Sequence, residues 1–436
     1  MLKKKLRTII PCVVILALFT GYNYNSLKTY YDEILNNSGL VAEDFDGELR
    51  KENKRFKESE QEYKGILTPE EEGNAREATP VIPEDIRLRA KAALLMDAEN
   101  NRVLYEENGY DKLAMASTTK IMTCIVTLEN GDLNDIVTIS SYAARQPDVQ
   151  LGLRTGEEYY LIDLLYSLML ESHNDSAVAI AEHVGGSVEG FATMMNDKAR
   201  SLGCTNTNFV TPNGLDAEGH YTTANDLAVI ASYAIKNEKF IDITNCASHQ
   251  FMELINGRGH SVSNKNRFLY MMDGAIGVKT GFTSKAGYCF VGAIKRPDRT
   301  LISVVLGCGW PPNKGLKWSD TKKLMDYGVE NYEKRQIFSE VALKPIPVED
   351  GQKKLVPLNL EGDLSLLMRK DEAVRIEYDI SKLIKAPVLA GTIAGYANYY
   401  IGDTLYERLP IYTTEDIAKI NYQFCLKKII RLWSVQ

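Results

Sequence analysis

Residues 275–309 read AIGVKTGFTSKAGYCFVGAIKRPDRTLISVVLGCG. Three runs rich in Val, Ile and aromatic residues are separated by the polar turns SKA and PDR. Runs of this length with such short turns predict consecutive antiparallel strands. Far upstream, residues 91–108, KAALLMDAENNRVLYEEN, place two short apolar runs around Asp97–Asn101 and predict a β-hairpin. Helical patterns fill the interval: 116–130, 161–172, 174–186, 188–203 and 222–237, the last with Thr222 or Thr223 as a cap. Residues 319–334 close the segment as another helix. A hairpin, a block of helices, more strands and a final helix predict an α/β (α+β) sandwich whose two ends feed one antiparallel sheet.

The 436 residues suggest more than one domain, and a hydrophobic content of 44% allows a full-sized core. A formal net charge of -7 argues against nucleic acid as the main partner. The seven cysteines form no CxxC pair, and an odd, scattered count reads as free thiols rather than a disulfide framework. His173, His183, His220, His249 and His260 form no metal-binding pattern, so neither a metal nor a cofactor is expected. Residues 1–24 combine a basic head (Lys3, Lys4, Lys5, Arg7) with an apolar run from Ile9 to Phe19, the plan of an export signal or N-terminal membrane anchor. Residues 25–84 are charge-dense and read as a spacer. The sandwich is expected over 85–335, and a small β-rich domain of short strands with Gly and Pro turns over 336–412. In 413–436, Ala418, Tyr422, Cys425, Leu426, Ile429, Leu432 and Trp433 recur at helical spacing beside Lys427, Lys428 and Arg431. That pattern predicts an amphipathic helix lying on a membrane surface.

Three short stretches carry chemistry. In ASTTK, Ser117 and Lys120 share a helix face, so an amine can reach the hydroxyl. Lys120 heads an apolar helix, and burial or a second cation would lower its pKa until it served as a base. Alone, the pair is a helix cap with a lysine three residues on. In ESHND, Ser172 and Asn174 sit between two helices: a hydroxyl that can relay a proton and an amide that can hold a carbonyl or orient the lysine. His173 reads as a loop residue rather than a catalyst. In GVKTGFT, Lys279 offers a fixed charge for an anionic substrate and Thr280 a hydroxyl for a carboxylate. Gly281 would leave room for a ligand backbone along the strand edge.

Taken together and in this order, the three motifs resemble those of class A β-lactamases and penicillin-binding proteins. The stretch from about 90 to 330 is similar to the low-molecular-mass penicillin-binding proteins, the serine-type D-alanyl-D-alanine carboxypeptidases. LMLESHNDSAVAIAEHVGG, MMNDKARSLGCTNTNFVTPNGLDAEGHYTTANDLA and WSDTKKLMDYG extend the likeness beyond the motifs. The resemblance implies the β-lactamase/transpeptidase-like fold, with a helical subdomain and a small β-rich C-terminal domain. It implies that Ser117 attacks a D-Ala–D-Ala carbonyl, that Lys120 takes its proton, and that Ser172 and Asn174 assist. Lys279, Thr280 and Gly281 would hold the substrate. The N–H groups of Ser117 and Phe282 would form the oxyanion hole. Lys317, where the family's pattern leads one to expect arginine, is the candidate for a second carboxylate contact, and His173 stands where glycine is common. The implied partners are the peptidoglycan pentapeptide, β-lactams as covalent inhibitors and a membrane surface, with the enzyme on the outer face of a bacterial membrane. Two other readings compete: a β-lactamase, for which Glu253 in ELIN is a decoy of the water-activating glutamate, and a catalytically silent, membrane-tethered peptidoglycan-binding protein.

Overall fold

The computed structural model describes residues 86–434. The export-signal and spacer expectations lie outside them. In chain order, β1 (Ala92–Asp97) and β2 (Arg102–Glu107) form the predicted hairpin, and a 3-10 turn at Ala116–Thr119 runs into α1 (Lys120–Asn130). β3 (Ile136–Thr138) pairs with β4 (Glu158–Tyr160). The helices α2 (Leu161–Leu170), α3 (Asn174–Gly185), α4 (Val188–Ser201), α5 (Ala224–Ala234) and α6 (Glu238–Asn245) follow. β5 (Ser248–Met252) and β6 (Gly259–Ser263) form a second hairpin, not anticipated from sequence. Then come β7 (Ala275–Thr283), β8 (Gly287–Arg296), β9 (Arg299–Leu306) and α7 (Leu316–Asn331).

The main sheet has the order β2-β1-β9-β8-β7 and is antiparallel throughout. First and last segments of the sandwich therefore lie side by side, as the pattern predicts. Both faces are covered. Ala92, Leu94 and Met96 of β1, with Ile302 and Val304 of β9, pack against α1–α6. Ala93 and Leu95, with Leu301 and Val305, pack against Leu324 and Met325 of α7. A strand buried on both faces loses its alternation, which is why AALLM reads as an unbroken apolar run. β7 is left at the edge.

The remainder is β-rich: β10 (Glu333–Gln336), β11 (Ile346–Glu349), β12 (Leu355–Val356), β13 (Leu358–Leu360), β14 (Ser365–Met368), β15 (Val374–Ile380), β16 (Ile384–Lys385), β17 (Ile393–Ile401) and β18 (Thr404–Thr413). It has its own core, around Val356, Ala397, Tyr399 and Ile411. Composition suggests a change of domain at 336, yet β10 already pairs with β14. The terminal helix, α8 (Tyr422–Ser434), also begins later than the periodicity suggests. Ile417 is buried and exchanges backbone hydrogen bonds with Val388 at 2.8 and 2.9 Å, which holds the preceding segment extended. Asn421 then accepts the Phe424 N–H at 3.0 Å and caps the helix.

Arg299, at the start of β9, is buried and donates from Nη1 to the carbonyls of Gly328, Val329 and Tyr332 at 3.2, 3.2 and 2.7 Å. It satisfies the free carbonyls at the end of α7, where a cation also suits the helix dipole. Replacing Arg299 by Met should lower the unfolding free energy by about 2–3 kcal/mol, since charged hydrogen bonds to buried carbonyls are lost. Urea denaturation would measure this, and a change below about 0.5 kcal/mol would show that those carbonyls find other partners.

Candidate active site

Lys120 begins α1 and is fully buried. Its Nζ lies 3.0 Å from Ser117 Oγ, 2.9 Å from Asn174 Oδ1 and 2.5 Å from the carbonyl of Asn213. All three partners are neutral. The orientation of the Asn174 amide follows from its other end, because Nδ2 donates to the carbonyls of Pro147 and Asp148 at 3.0 and 3.1 Å. Asn174 Oδ1 and the Asn213 carbonyl can only accept. A neutral amine that donates to these two would keep its lone pair for the Ser117 hydroxyl, which also lies 3.4 Å from the Asn213 carbonyl. Burial first, and then the charge of Lys279, hold the Lys120 pKa well below the usual lysine range, with Asp175 opposing them.

Lys279 lies in edge strand β7, 2% exposed, and donates to the carbonyl of Thr280 at 3.2 Å. Burial, and then the charge of Lys317, lower its pKa to about 7. Residues directly opposite one another in an antiparallel pair share a face. Lys279 and Gly281 pair with Val291 and Cys289, which belong to the core beneath the helices. Thr280 pairs with Phe290, which belongs to the core under α7. The edge strand thus presents lysine and glycine towards Ser117, and threonine and Phe282 towards α7. On that second face the Lys317 ammonium rests 4.6 and 4.9 Å from the ring centroids of Tyr288 and Trp318, and Phe282 packs against Tyr288 at 4.6 Å.

Ser172 has φ 72, and its Oγ is buried without a hydrogen-bond partner among the described residues. Its neighbours explain the conformation. His173 turns inward to Ser167 Oγ at 2.8 Å, the Asn174 N–H donates to the Val149 carbonyl at 2.7 Å, and Asp175 accepts the N–H groups of Leu151, Gly152 and Leu153. Three successive residues are tied down, so Ser172 takes up the turn. His173 is a packing residue, its pKa lowered chiefly by burial.

Gly281 answers to a different constraint from the one expected. A Cβ there would stand 2.9 Å from the Ser117 nitrogen and 3.1 Å from Ala116 Cβ. The chain's own 3-10 turn, not only a ligand, requires the glycine. On the opposite side of that turn a Cβ at Gly214, whose φ is +82, would stand 2.0 Å from the Ala116 oxygen. The Ala116–Ser117 peptide therefore lies between two glycines. Neither Gly214 nor Asn213 stands out as a site residue in the sequence, where PNG signals only a turn. Thr123 fixes this segment to α1 by donating to the Pro212 carbonyl at 2.6 Å. His220, also not anticipated, is 5% exposed and bonds Thr119 Oγ1 at 2.9 Å, with its pKa lowered to about 4 chiefly by burial.

Glu253 is buried beside the β5–β6 hairpin and accepts the N–H groups of Ile255, Asn256 and Glu158. It closes a turn. Among the described residues, no group of three or more His, Cys, Asp or Glu side chains is placed to hold a metal ion.

Residues 77–309 match the D-alanyl-D-alanine carboxypeptidase family (Peptidase_S11), and residues 332–419 match the C-terminal domain of penicillin-binding protein 5. D-alanyl-D-alanine carboxypeptidase DacF of Bacillus subtilis is 31% identical over 354 residues, covering 79% of this chain and 90% of the relative. DacC of Escherichia coli is 30% identical, covering 76% and 84%. The crystal structure of penicillin binding protein 5 from Haemophilus influenzae superposes with a TM-score of 0.66 at 28% identity, covering 78% of this chain and all of the other. With its sandwich fold and the Ser117–Lys120 pair beside β7, the chain belongs to the D-alanyl-D-alanine carboxypeptidase family of serine hydrolases.

Proposed function

We propose that this serine D-Ala-D-Ala carboxypeptidase removes the terminal D-alanine of peptidoglycan pentapeptide stems through an acyl-enzyme on Ser117. The observation that carries the assignment is the buried Lys120 amine, 3.0 Å from Ser117 Oγ and bonded only to neutral groups. Lys120 Nζ takes the hydroxyl proton as Ser117 Oγ attacks the carbonyl carbon of the scissile amide. The negative charge that develops on the scissile carbonyl oxygen is held by the N–H groups of Ser117 and Phe282, the kind of interaction that dominates acyl transfer. The proton passes from Lys120 through Ser172 Oγ to the leaving nitrogen, the C–N bond breaks, and D-alanine departs. Water then attacks the ester, its proton returns to Ser117 Oγ, and the shortened stem leaves.

Asn174 holds Lys120 by its amide oxygen, and Lys279 supplies charge to both the base and the substrate. Thr280 and Lys317 receive the terminal carboxylate from the far side of the edge strand, which itself pairs with the stem. A β-lactam follows the same first step, but its leaving nitrogen stays tethered and the adduct persists. The β-lactamase reading is disfavoured because Glu253 is committed to three backbone N–H groups. The enzyme acts outside the cytoplasm. α8 lies on the membrane surface through Tyr422, Leu426 and Ile430, which are exposed at successive helical turns. No described helix is long and apolar enough to cross a membrane.

Ser117→Ala should abolish both D-alanine release from a pentapeptide and covalent penicillin labelling. Mass spectrometry of the labelled protein would locate the adduct, and an adduct on another serine would overturn the assignment. Lys279→Met removes a charge that lowers the Lys120 pKa, so that pKa should rise and less neutral amine remain at pH 7. The acid limb of the acylation rate–pH profile should move to higher pH; an unmoved limb would show that burial alone sets the base. Truncation after Asn421 leaves Ile417 in its core and should release the protein from anionic vesicles. Retention of the truncated protein would place any anchor elsewhere.

A further inference from the structure

We propose that Thr119 and His220 are positioning residues of the reaction, forming one relay that holds and polarises the Ala116–Ser117 peptide. The inference rests on the reading of Ser117 as nucleophile and of its N–H as an oxyanion donor.

Ala116 has φ 49, a left-handed conformation that costs an alanine about 1 kcal/mol or more. Its carbonyl is held by a chain of hydrogen bonds whose direction is determined at every link. The Val210 N–H can only donate, and it donates to His220 Nδ1 at 3.0 Å, with the Thr211 N–H adding a longer contact at 3.4 Å. His220 Nδ1 is therefore bare, and the proton of the neutral ring is on Nε2. Nε2 donates to Thr119 Oγ1 at 2.9 Å, and Thr119 Oγ1 donates to the Ala116 carbonyl at 2.8 Å.

A threonine hydroxyl bonded to a carbonyl three residues back is ordinary in a turn. Thr118 does the same with Met115 at 2.6 Å. Thr119 differs in having a buried imidazole behind it. Linked hydrogen bonds polarise one another. Donation into the Ala116 carbonyl draws density from the peptide nitrogen and strengthens the Ser117 N–H as a donor. The two glycines let their backbones come up against this peptide: a side chain at 214 would strike its oxygen and one at 281 its nitrogen. The relay sets the orientation and polarisation of one oxyanion donor, without touching substrate.

The test uses the full-length protein and the variants Thr119→Val, Thr119→Ser, His220→Gln and the double variant Thr119→Val/His220→Gln. Stopped-flow labelling with a fluorescent penicillin gives the acylation rate constant and the preceding dissociation constant separately. That rate constant does not depend on the fraction of molecules correctly folded. Thr119→Val should acylate about 10- to 100-fold more slowly, less than or comparable to the loss of an oxyanion donor itself. Its dissociation constant should stay within about threefold, and Thr119→Ser should recover most of the rate. A peptide boronic acid, which mimics the tetrahedral oxyanion, should lose affinity in the same proportion as the rate. The double variant should be no slower than the slower single variant, because one relay is broken only once. A wild-type rate constant in Thr119→Val, or losses that multiply in the double variant, would overturn the relay. An adduct absent from Ser117 in the wild-type protein would instead sink the underlying reading of the site.

Discussion

The site depends on a lysine amine held where it cannot find an anion. Lys120 has two obligate acceptors, the Asn174 amide oxygen and the Asn213 carbonyl, and one hydroxyl, Ser117. All three are neutral, so the shell sets no anion against the amine, and burial and the charge of Lys279 lower its pKa. Each partner comes from a different part of the chain. α3 brings Asn174, the 3-10 turn brings Ser117, and the PNG segment brings the carbonyl. Burial of the α1 end requires the helices on that side of the sheet to pack fully, which links the chemistry to the main core. A carboxylate in place of Asn174 would pair with the lysine and raise its pKa, giving a stable ion pair and no base.

A second constraint concerns the backbone. The peptide preceding Ser117 must pass between β7 and the PNG loop, and there is room on either side only for a hydrogen atom. Gly281 is required by the nitrogen and Gly214 by the oxygen of one peptide group. Close packing of this sort permits no gradual adjustment; a methyl group at either position would displace the nucleophile or separate the edge strand from it.

Much of this was legible in the sequence, and the parts that were not share a cause. Ser117, Lys120, Asn174 and Lys279 announce themselves because their side chains carry the relevant groups. Asn213 contributes its backbone carbonyl, which any residue possesses, so only the PNG turn marks it. His220 is one of several isolated histidines, and its bond to Thr119 spans 101 residues of sequence. Strand periodicity was plain in β7, β8 and β9, where the three runs are set off by turns. The β5–β6 hairpin carries no such signal because its strands are half exposed and polar, as in SHQFM and GHSVS. The start of α8 is not legible because Ala418 falls on the helical stripe by spacing, and only the pairing of its neighbour Ile417 with Val388 keeps that segment extended.

The two faces of β7 divide the electrostatic work, and the division bears on how the base survives substrate binding. Lys279 faces the helices and Lys317 lies across the strand on Tyr288 and Trp318. Aromatic faces hold a lysine without neutralising it, and Lys317 lacks the two-pronged fork with which arginine grips a carboxylate. Its charge lowers the pKa of Lys279, whose charge in turn lowers that of Lys120. A substrate carboxylate arriving between Lys279 and Lys317 would offset both charges, and by itself would push the Lys120 pKa upward as the reaction begins. Burial, the largest of the influences on Lys120, acts in the other direction and does not diminish when the site fills, because a bound stem displaces water. On the proposed mechanism, what lowers the pKa of the base is chiefly what the fold excludes, and the neighbouring lysines would be left free to bind the anion.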